Sequence, residues 1–255
     1  MRLTFLGTGT STGVPTLGCH CPVCSSTDPR DQRTRSSILL ETDGRDIVID
    51  TTPDFRQQAL REGLNRLDAV VFTHTHADHV FGLDDVRVFN LRQKYAIPFY
   101  ADPRSMEDIR RIFTYVFKGD YAAGGIPRLD PHIIDGPFDL WDLRMTPLPV
   151  LHGELPVLGF RFGRAAYITD FSVIPESTLE LLGGLDVLVL DALRHQPHPT
   201  HSTIEHSLEL VQRLKPGRAF FTHIAHELSH EATNAALPRN VQLAYDGLKL
   251  DTAEG

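Results

Sequence analysis

The 255-residue chain has no apolar run near the ~20 residues that a membrane-spanning helix needs. It also has no low-complexity tract, charge block or internal repeat, and its N-terminus lacks the apolar core and cleavage site of a signal peptide. These absences predict a cytoplasmic protein without a membrane partner. With 41% hydrophobic and 23% charged residues, the composition favours a single globular domain over residues 1–255.

Positive charge and cysteine are both scarce. The formal net charge is −8 with histidine neutral, which argues against a broad basic surface and makes nucleic acid an unexpected partner. A small phosphate-bearing substrate is still compatible, because two divalent metals would bring about four positive charges into a pocket. Histidine is abundant instead, with thirteen residues, many of them in short local groups.

Short apolar, β-branched stretches alternate with polar or glycine-containing turns along the chain. They predict strands at 2–7, 36–42, 45–50, 69–74, 97–102, 143–150, 158–163, 164–170, 185–192, 218–223 and 241–247. Helical periodicity predicts helices at 53–63, 105–117, 178–184 and 203–215. Two groups of strands separated by amphipathic helices predict an α/β fold of two packed sheets with helices outside.

Polar residues that could bind a ligand follow directly after predicted strands. These residues are Asp50, His74, His152, Asp170, Asp191 and His223. Strand ends lead into loops, where a rigid sheet can bring side chains from distant parts of the sequence to one site. We therefore expect a functional site at these strand ends.

The segment THTHADHVFGL (73–83) is the strongest sequence signal for a metal site. His74 and His76 lie two residues apart in an extended stretch and can point toward a common ion. Asp78 and His79 follow as the chain turns, aimed at a second ion beside the first. Imidazole with carboxylate suits zinc, manganese or iron. The alternative is a polar surface loop, but three histidines and an aspartate directly after an apolar strand favour metal.

The spacing H-x-H-x-D-H after a strand resembles the signature of metallo-β-lactamase-fold hydrolases. The resemblance implies an αββα sandwich of two mixed sheets with a pair of zinc or manganese ions at its edge. It implies that one metal is held by His74, His76 and His152, the other by Asp78, His79 and His223, with Asp170 bridging them. It also implies that Asp50 supports a ligand by a hydrogen bond; the alternative is an ordinary strand-end aspartate.

Further segments narrow the resemblance to PhnP-type phosphodiesterases of phosphonate breakdown. These segments are FLGTGTSTGVPTLGCHCPVC, IDTTPDF, ITD, PTHST, THIAH and ALPRN…YDG, together with the histidine-rich motif. The similarity runs from Leu3 to Leu250 and is weakest across 100–140. It implies a small, cyclic, ribose-type phosphodiester as substrate and a homodimer as the assembly.

The three cysteines of the chain lie together in a C-x-C-x-x-C pattern, as Cys19, Cys21 and Cys24. Thiolates at this spacing can share one tetrahedral zinc if a fourth ligand comes from elsewhere; the alternative is three free, partly buried cysteines. The resemblance implies His226 as that fourth ligand and gives the zinc a structural role. His20 and His230 are rival candidates.

His201, in PTHST, matches the non-ligand catalytic histidine of the resembling family. The expected reaction is attack on phosphorus by hydroxide, formed from a water whose pKa two metals lower to about 7, with His201 as general acid. We assign catalytic roles to His201, Asp78 and Asp170. Asp191 either orients His201 or is a structural strand-end residue. His195, His198 and His206 are expected to be solvated or on a helix face, although His198 could contact substrate.

Other functions share the same metal signature. A tRNA 3′-processing nuclease is one alternative, but the acidic charge and the lack of a long basic insertion argue against it. Thioester or lactam hydrolysis does not explain His201 as well. A PqqB-like protein also has an early C-x-C-x-x-C but is less expected to have the full histidine set. A catalytically silent zinc-stabilised binding module would be expected to lack ligands, and none is missing here.

Overall fold

The computed structural model describes residues 1–118 and 125–252. The strands are β1 (Arg2–Gly7), β2 (Ser37–Thr42), β3 (Arg45–Ile49), β4 (Ala69–Val71), β5 (Ile97–Ala101), β6 (Leu129–Ile133), β7 (Phe138–Leu140), β8 (Leu143–His152), β9 (Leu155–Phe162), β10 (Ala165–Ile168), β11 (Val187–Asp191), β12 (Arg218–Thr222), β13 (Val241–Leu243) and β14 (Lys249–Asp251). The α-helices are α1 (Phe55–Glu62), α2 (Ala77–Val80), α3 (Arg87–Gln93), α4 (Pro103–Ile112), α5 (Thr114–Phe117), α6 (Glu176–Leu179), α7 (Ile204–Leu214) and α8 (His230–Ala236). Short 3-10 helices cover Pro29–Asp31, Leu83–Val86 and Glu180–Leu182. Within the described ranges, no helix is long and apolar enough to cross a membrane.

The strands form two seven-stranded mixed sheets. The first has the order β14-β1-β2-β3-β4-β5-β6, and the second has the order β13-β12-β11-β10-β9-β8-β7. In the first sheet β3 to β6 run parallel, and in the second β10 to β13 do. The carboxyl ends of neighbouring parallel strands therefore lie at one edge of each sheet.

Alternation along the strands separates the hydrophobic core into layers. In β3, Ile47 and Ile49 face the opposite sheet, while Val48 faces the helices. In β11, Val189 packs between the sheets, while Leu190 packs under α6 and α7. Because successive strand side chains point to opposite faces, each sheet is covered on both sides. The predicted fold class, two mixed sheets flanked by helices, is confirmed.

Three strands were absent from the sequence predictions, and all three lie at sheet edges. β6 and β14 close the first sheet, and β7 closes one end of the second. β6 contains Pro131, which an edge strand tolerates because one of its sides makes no ladder hydrogen bonds. Short, half-exposed edge strands have no clear hydrophobic alternation, so their pattern does not separate them from loops.

The helix predicted at 105–117 begins earlier and is interrupted. Asp102 accepts hydrogen bonds from the backbone N–H groups of Arg104 and Ser105, so α4 begins at Pro103. The chain leaves helical geometry at Phe113 and resumes as α5. The short helices α2, α3 and α8 were also not predicted. Residues 119–124, part of the weakly matching segment 100–140, lie outside the described residues.

A buried ion pair ties the N-terminal segment to the loop after β12. The fully buried Arg33 guanidinium lies 3.0 Å from Asp31 and donates to the carbonyl oxygens of Ala225 and Leu228. Asp31 also accepts a hydrogen bond from the backbone N–H of His230. Burial favours the neutral form of arginine, so the nearby carboxylate is needed to hold this charge inside the protein.

Replacing Asp31 with alanine should therefore destabilise the fold strongly. An unpaired buried charge costs about 3–5 kcal/mol, and we expect that loss in the free energy of unfolding of Asp31→Ala. Chemical denaturation of the metal-loaded protein measures it. Asp251→Ala, which breaks the exposed Arg2–Asp251 pair, is the control and should change stability little. Equal losses in the two variants would contradict this account of Arg33.

Candidate metal centre

The carboxyl ends of strands from both sheets meet at one end of the sandwich. β3 and β4 lead into Asp50 and His74, and β10 and β12 lead into Asp170 and His223. A hydrogen bond from the Leu158 N–H to the Thr73 carbonyl (3.0 Å) joins the two sheets beside this point. The expected convergence of strand-end residues is therefore present in the fold.

Three histidines form the first group of ligand atoms. One nitrogen each of His74, His76 and His152 lies within 4.8 Å of the others, and His74 Nε2 is 3.0 Å from His76 Nδ1. His152 donates from Nδ1 to the Thr200 carbonyl (2.8 Å), which leaves Nε2 as its ligand atom. Burial lowers the pKa of His74 and His152. Both rings are thereby kept neutral, which is the form that binds a metal ion.

Two carboxylates and two histidines form the second group, made of Asp78, His79, Asp170 and His223. His79 Nε2 is 3.4 Å from Asp78 and 3.3 Å from Asp170, and His223 Nε2 is 3.2 Å from Asp170. Both Nε2 atoms are buried without a well-formed hydrogen bond to any described residue. Buried polar atoms are nearly always satisfied, so these nitrogens fit the ligand role that a divalent ion would complete.

The charges of the second group stabilise one another. Burial opposes ionisation of Asp78 and Asp170, but the surrounding histidines hold the pKa of each carboxyl well below its ordinary value. Burial likewise lowers the pKa of His223, but Asp170 and Asp78 outweigh it and raise that pKa to about 9. Two anionic oxygens are thus kept ready for a cation, and a metal ion would replace the histidine protons.

Asp50 supports this second group through a hydrogen bond with His79. Its Oδ2 accepts a hydrogen bond from His79 Nδ1 (2.7 Å), which directs Nε2 toward the carboxylates. The N–H and hydroxyl of Thr73 donate to the same carboxylate at 2.8 and 2.7 Å. A carboxylate behind a ligating histidine fixes its tautomer and ring orientation. The contact with His79 is the geometry that the predicted supporting role of Asp50 requires.

Three of these residues have left-handed backbone conformations. The φ angles are 67° at Asp50, 53° at Asp170 and 56° at His223. Residues other than glycine adopt this region at a cost, and such residues concentrate at functional sites. At Gly82 a side chain is excluded by lack of space, because a Cβ there would lie 2.0 Å from the Thr52 carbonyl oxygen. This close approach holds the end of the histidine-rich segment against the loop after β3.

The cysteines form a separate group with His226. The Sγ atoms of Cys19, Cys21 and Cys24 lie 3.3, 3.4 and 3.6 Å from His226 Nδ1. Ligand atoms around a tetrahedral zinc ion are ~3.5–3.7 Å apart, given the usual Zn–S and Zn–N distances. The donor set and its spacing therefore fit one zinc ion. Among the described residues, the rival ligands His20 and His230 are not in this group.

His201 lies beside both histidine groups. Its Nδ1 is 2.8 Å from Asp191 Oδ2, and its ring stacks on His223 with 4.6 Å between centroids. Its side chain is 12% exposed, so it borders the opening of the site. Thr203 caps α7 directly after it by accepting from the His206 N–H. Of the two roles left open for Asp191, the contact with His201 is the one this geometry supports.

The other histidines of this region lie outside the cluster. His195 makes an exposed pair with Glu205, and His206 contacts Ser202. His198 is nearer, with its ring centroid 5.0 Å from that of His201. Sequence reasoning missed the parts played by Thr73 and Thr200. Both directly precede a histidine of a recognised motif, but nothing in the pattern shows that their polar atoms face Asp50 and His152.

Comparisons with known proteins agree with this geometry. A family model described as a Beta-lactamase superfamily domain matches residues 45–224, so the chain belongs to that superfamily. A solved structure described as a new diphosphatase from the PhnP family is 48% identical and covers 99% of this chain and 98% of its own, with a TM-score of 0.93. Within the superfamily, this chain is a member of the PhnP family.

The chain is also similar to two curated proteins that are named for other activities. An octanoyltransferase of Porphyromonas gingivalis is 41% identical over 253 residues, which are 98% of this chain and 51% of that protein. The chain thus spans about half the length of this relative. Coenzyme PQQ synthesis protein B of Methylobacterium radiotolerans is 32% identical over 227 residues, covering 75% of this chain and 72% of that protein.

The two candidate metal sites should be separable by metal analysis. We expect Cys24→Ser to lose about one zinc ion per chain and to keep the metals of the histidine cluster, because the four-ligand set is broken. His223→Ala should lose metal from the histidine cluster and keep the zinc ion of the cysteine group. Elemental analysis of the purified variants checks both. Loss of every metal from either single variant would contradict two independent sites.

Asp50→Asn should weaken metal binding without removing any ligand. The amide would present an N–H₂ to His79 Nδ1, which forces the proton onto Nε2 and blocks its lone pair. Loss of such a support typically costs 10–100-fold in metal affinity, roughly the decrease expected here. Competition with a chelator measures it. Asp139→Ala, which removes an exposed carboxylate paired with Arg144, is the control and should keep wild-type affinity.

Proposed function

We propose that this metal-dependent hydrolase is a phosphodiesterase acting on small, cyclic, ribose-type phosphodiesters. The observation that carries the proposal is His201, which Asp191 holds beside two converging groups of metal-ligand atoms. Membership of the PhnP family supports the same substrate class. The metals we propose are two zinc or manganese ions at the histidine and carboxylate groups, and one structural zinc at the cysteines.

Two divalent ions at such a site supply positive charge for phosphate oxygens and lower the pKa of water to about 7. The protein contributes the positions of the groups around them. His74, His76 and His152 would hold one ion, and Asp78, His79 and His223 the other, with Asp170 between them. Asp78 and Asp170 are kept anionic by their neighbours, so the site has the negative charge that two cations require.

His201 would act as the general acid. Because Nδ1 faces Asp191 Oδ2 at 2.8 Å, Nε2 is the nitrogen left to face a substrate. A proton on Nε2 can pass to the leaving oxygen as its bond to phosphorus breaks, while the Asp191 carboxylate compensates the positive charge of the ring. Asp191 is thus a positioning residue, and His201 is the catalytic one.

Hydrolysis of a diphosphate is the second candidate. The 48% identical structure is described as a diphosphatase, and its match covers nearly all of both chains. The same constellation would serve this reaction, since a diphosphate also breaks a P–O bond with an oxygen leaving group. The two candidates differ in whether the leaving oxygen belongs to carbon or to phosphorus.

The remaining expectations stay proposals. We propose a small-molecule substrate in place of nucleic acid, a cytoplasmic location and a homodimer. A tRNA 3′-processing nuclease, a thioester or lactam hydrolase, a PqqB-like protein and a silent binding module are the competing functions.

A substrate panel tests the proposal against these competitors. Chelator-stripped protein with zinc or manganese restored would be given bis(p-nitrophenyl) phosphate, ribose cyclic phosphates, inorganic diphosphate, p-nitrophenyl phosphate, a thioester and a precursor tRNA. Metal-dependent turnover of the cyclic diesters above all others is the expected result. Preferential turnover of diphosphate would favour diphosphate hydrolysis over the phosphodiesterase function. Turnover of the thioester alone would contradict both. No turnover of any substrate in the panel would favour the catalytically silent binding module.

His201→Ala should lower kcat and leave metal content intact. General acid catalysis is typically worth ~10²–10⁴ in rate, and the decrease should lie in that range. His195→Ala is the matched control, because this histidine is exposed and paired with the exposed Glu205, and it should keep wild-type kcat. Steady-state kinetics together with elemental analysis provide the measurement. Loss of metal in His201→Ala would show that this histidine is a ligand.

A further inference from the structure

The buried histidines proposed as metal ligands are supported from behind by oxygen atoms. In three of them the ring nitrogen Nδ1 lies within hydrogen-bond distance of an oxygen outside the ligand group. These pairs are His74 with the Thr73 hydroxyl, His79 with the Asp50 carboxylate and His152 with the Thr200 carbonyl, at 3.0, 2.7 and 2.8 Å. Such contacts fix the tautomer, because a proton held on Nδ1 leaves the Nε2 lone pair free for a cation.

His223 is the exception among these buried ligands. Its side chain is almost fully buried, and its Nδ1 has no hydrogen-bond partner in the described part of the chain. Asp170 and Asp78 face the other ring nitrogen, Nε2, at 3.2 and 3.8 Å. Buried polar groups are nearly always paired, so Nδ1 of His223 requires an acceptor that neither of these two carboxylates supplies.

Asp191 lies where such an acceptor is required. It ends β11, and His223 directly follows β12, the neighbouring parallel strand. A carboxylate oxygen of Asp191 lies within 4.8 Å of a ring nitrogen of His223 and of one of His201. Its Oδ2 pairs with His201 Nδ1, whereas its Oδ1 is buried and has no partner among the described residues. A buried acceptor without a donor and a buried donor without an acceptor therefore lie at adjacent strand ends.

We propose that Asp191 is a positioning residue for the metal ligand His223 as well as for His201. Its second oxygen accepts the Nδ1 proton of His223, directly or through one bridging water molecule, and so directs Nε2 toward the second group. This inference rests on the two metal ions of the proposed function. Asp191 then supports His223 as Asp50 supports the other histidine of the second group. One carboxylate thereby holds the stacked rings of His201 and His223, whose centroids are 4.6 Å apart.

Selective weakening of one metal site tests the inference without requiring turnover. Asp191→Ala removes both acceptor oxygens, so the ion of the second group should bind about 10–100-fold more weakly, while the ion of the first group and the cysteine-bound zinc keep wild-type affinity. Chelator titration of the metal-loaded protein, followed by elemental analysis, measures this. His201→Ala should keep wild-type affinity for all three ions. Asp186→Ala is the matched control, because this aspartate directly precedes β11 and makes an exposed pair with Arg164.

A second measurement reports the tautomer of His223 directly. In the zinc-loaded protein, nitrogen NMR of the histidine rings should place the proton of His223 on Nδ1 and show that it exchanges slowly with water. Asp191→Ala should lose this slow exchange, whereas Asp186→Ala should keep it. The resonance is assigned by its absence in His223→Ala.

The metal titration separates the two roles of Asp191. Wild-type affinity for all ions in Asp191→Ala overturns the inference, since Asp191 would then act on His201 alone. Equal weakening in His201→Ala also overturns it, because the effect would then run through that ring. Weakening of all three sites together would show a general defect of the fold and overturn it as well. If the second site alone is weakened and the wild-type protein hydrolyses no substrate in the panel, the support of His223 stands and the proposed function fails, so the two failures can be told apart.

Discussion

The burial of imidazole and carboxylate groups at one end of the sandwich is the constraint on which the rest of the structure depends. Asp50, His79, Asp170 and His223 are almost inaccessible to water, and desolvation of so many polar groups is costly unless their charges are balanced. The protein balances them partly by mutual contacts, as between His79 and Asp170, and leaves buried Nε2 atoms that a cation would satisfy. Much of the surrounding structure holds these groups in place: Asp50 behind His79, Thr200 behind His152, and the left-handed backbone at the strand ends.

The loop after β12 links this centre to the N-terminal segment of the chain. His223 belongs to the histidine and carboxylate cluster, while His226, three residues later, completes the cysteine group. Between them the Ile224 N–H donates to the Thr8 carbonyl, and Arg33 binds the Ala225 carbonyl. One short loop is thus held by two candidate metal sites and a buried ion pair. An arrangement of this kind keeps a ligand in position because several independent contacts would have to break together.

The sequence alone could predict those parts of the site whose ligands are close neighbours along the chain. The T-H-T-H-A-D-H run and the cysteine cluster contain their ligands within a few residues, so spacing alone indicated metal. The long-range members, His152, Asp170, His223 and His226, are predicted only through resemblance to a family, and the structure places a ligand atom of each in the expected group. The unpredicted strands β6, β7 and β14 are edge strands, whose short and half-exposed sequences have no hydrophobic alternation to detect.

By itself, the sequence determined the donor chemistry and the layered fold, because side-chain identity sets which ions can bind and strand periodicity sets which faces are buried. Only the tertiary structure decided what each donor faces. It placed Asp191 against His201, Asp50 against His79 and the Thr200 carbonyl against His152. These relations join residues on different elements across the end of the sandwich. No local pattern contains them, since they arise when two sheets and their helices pack together.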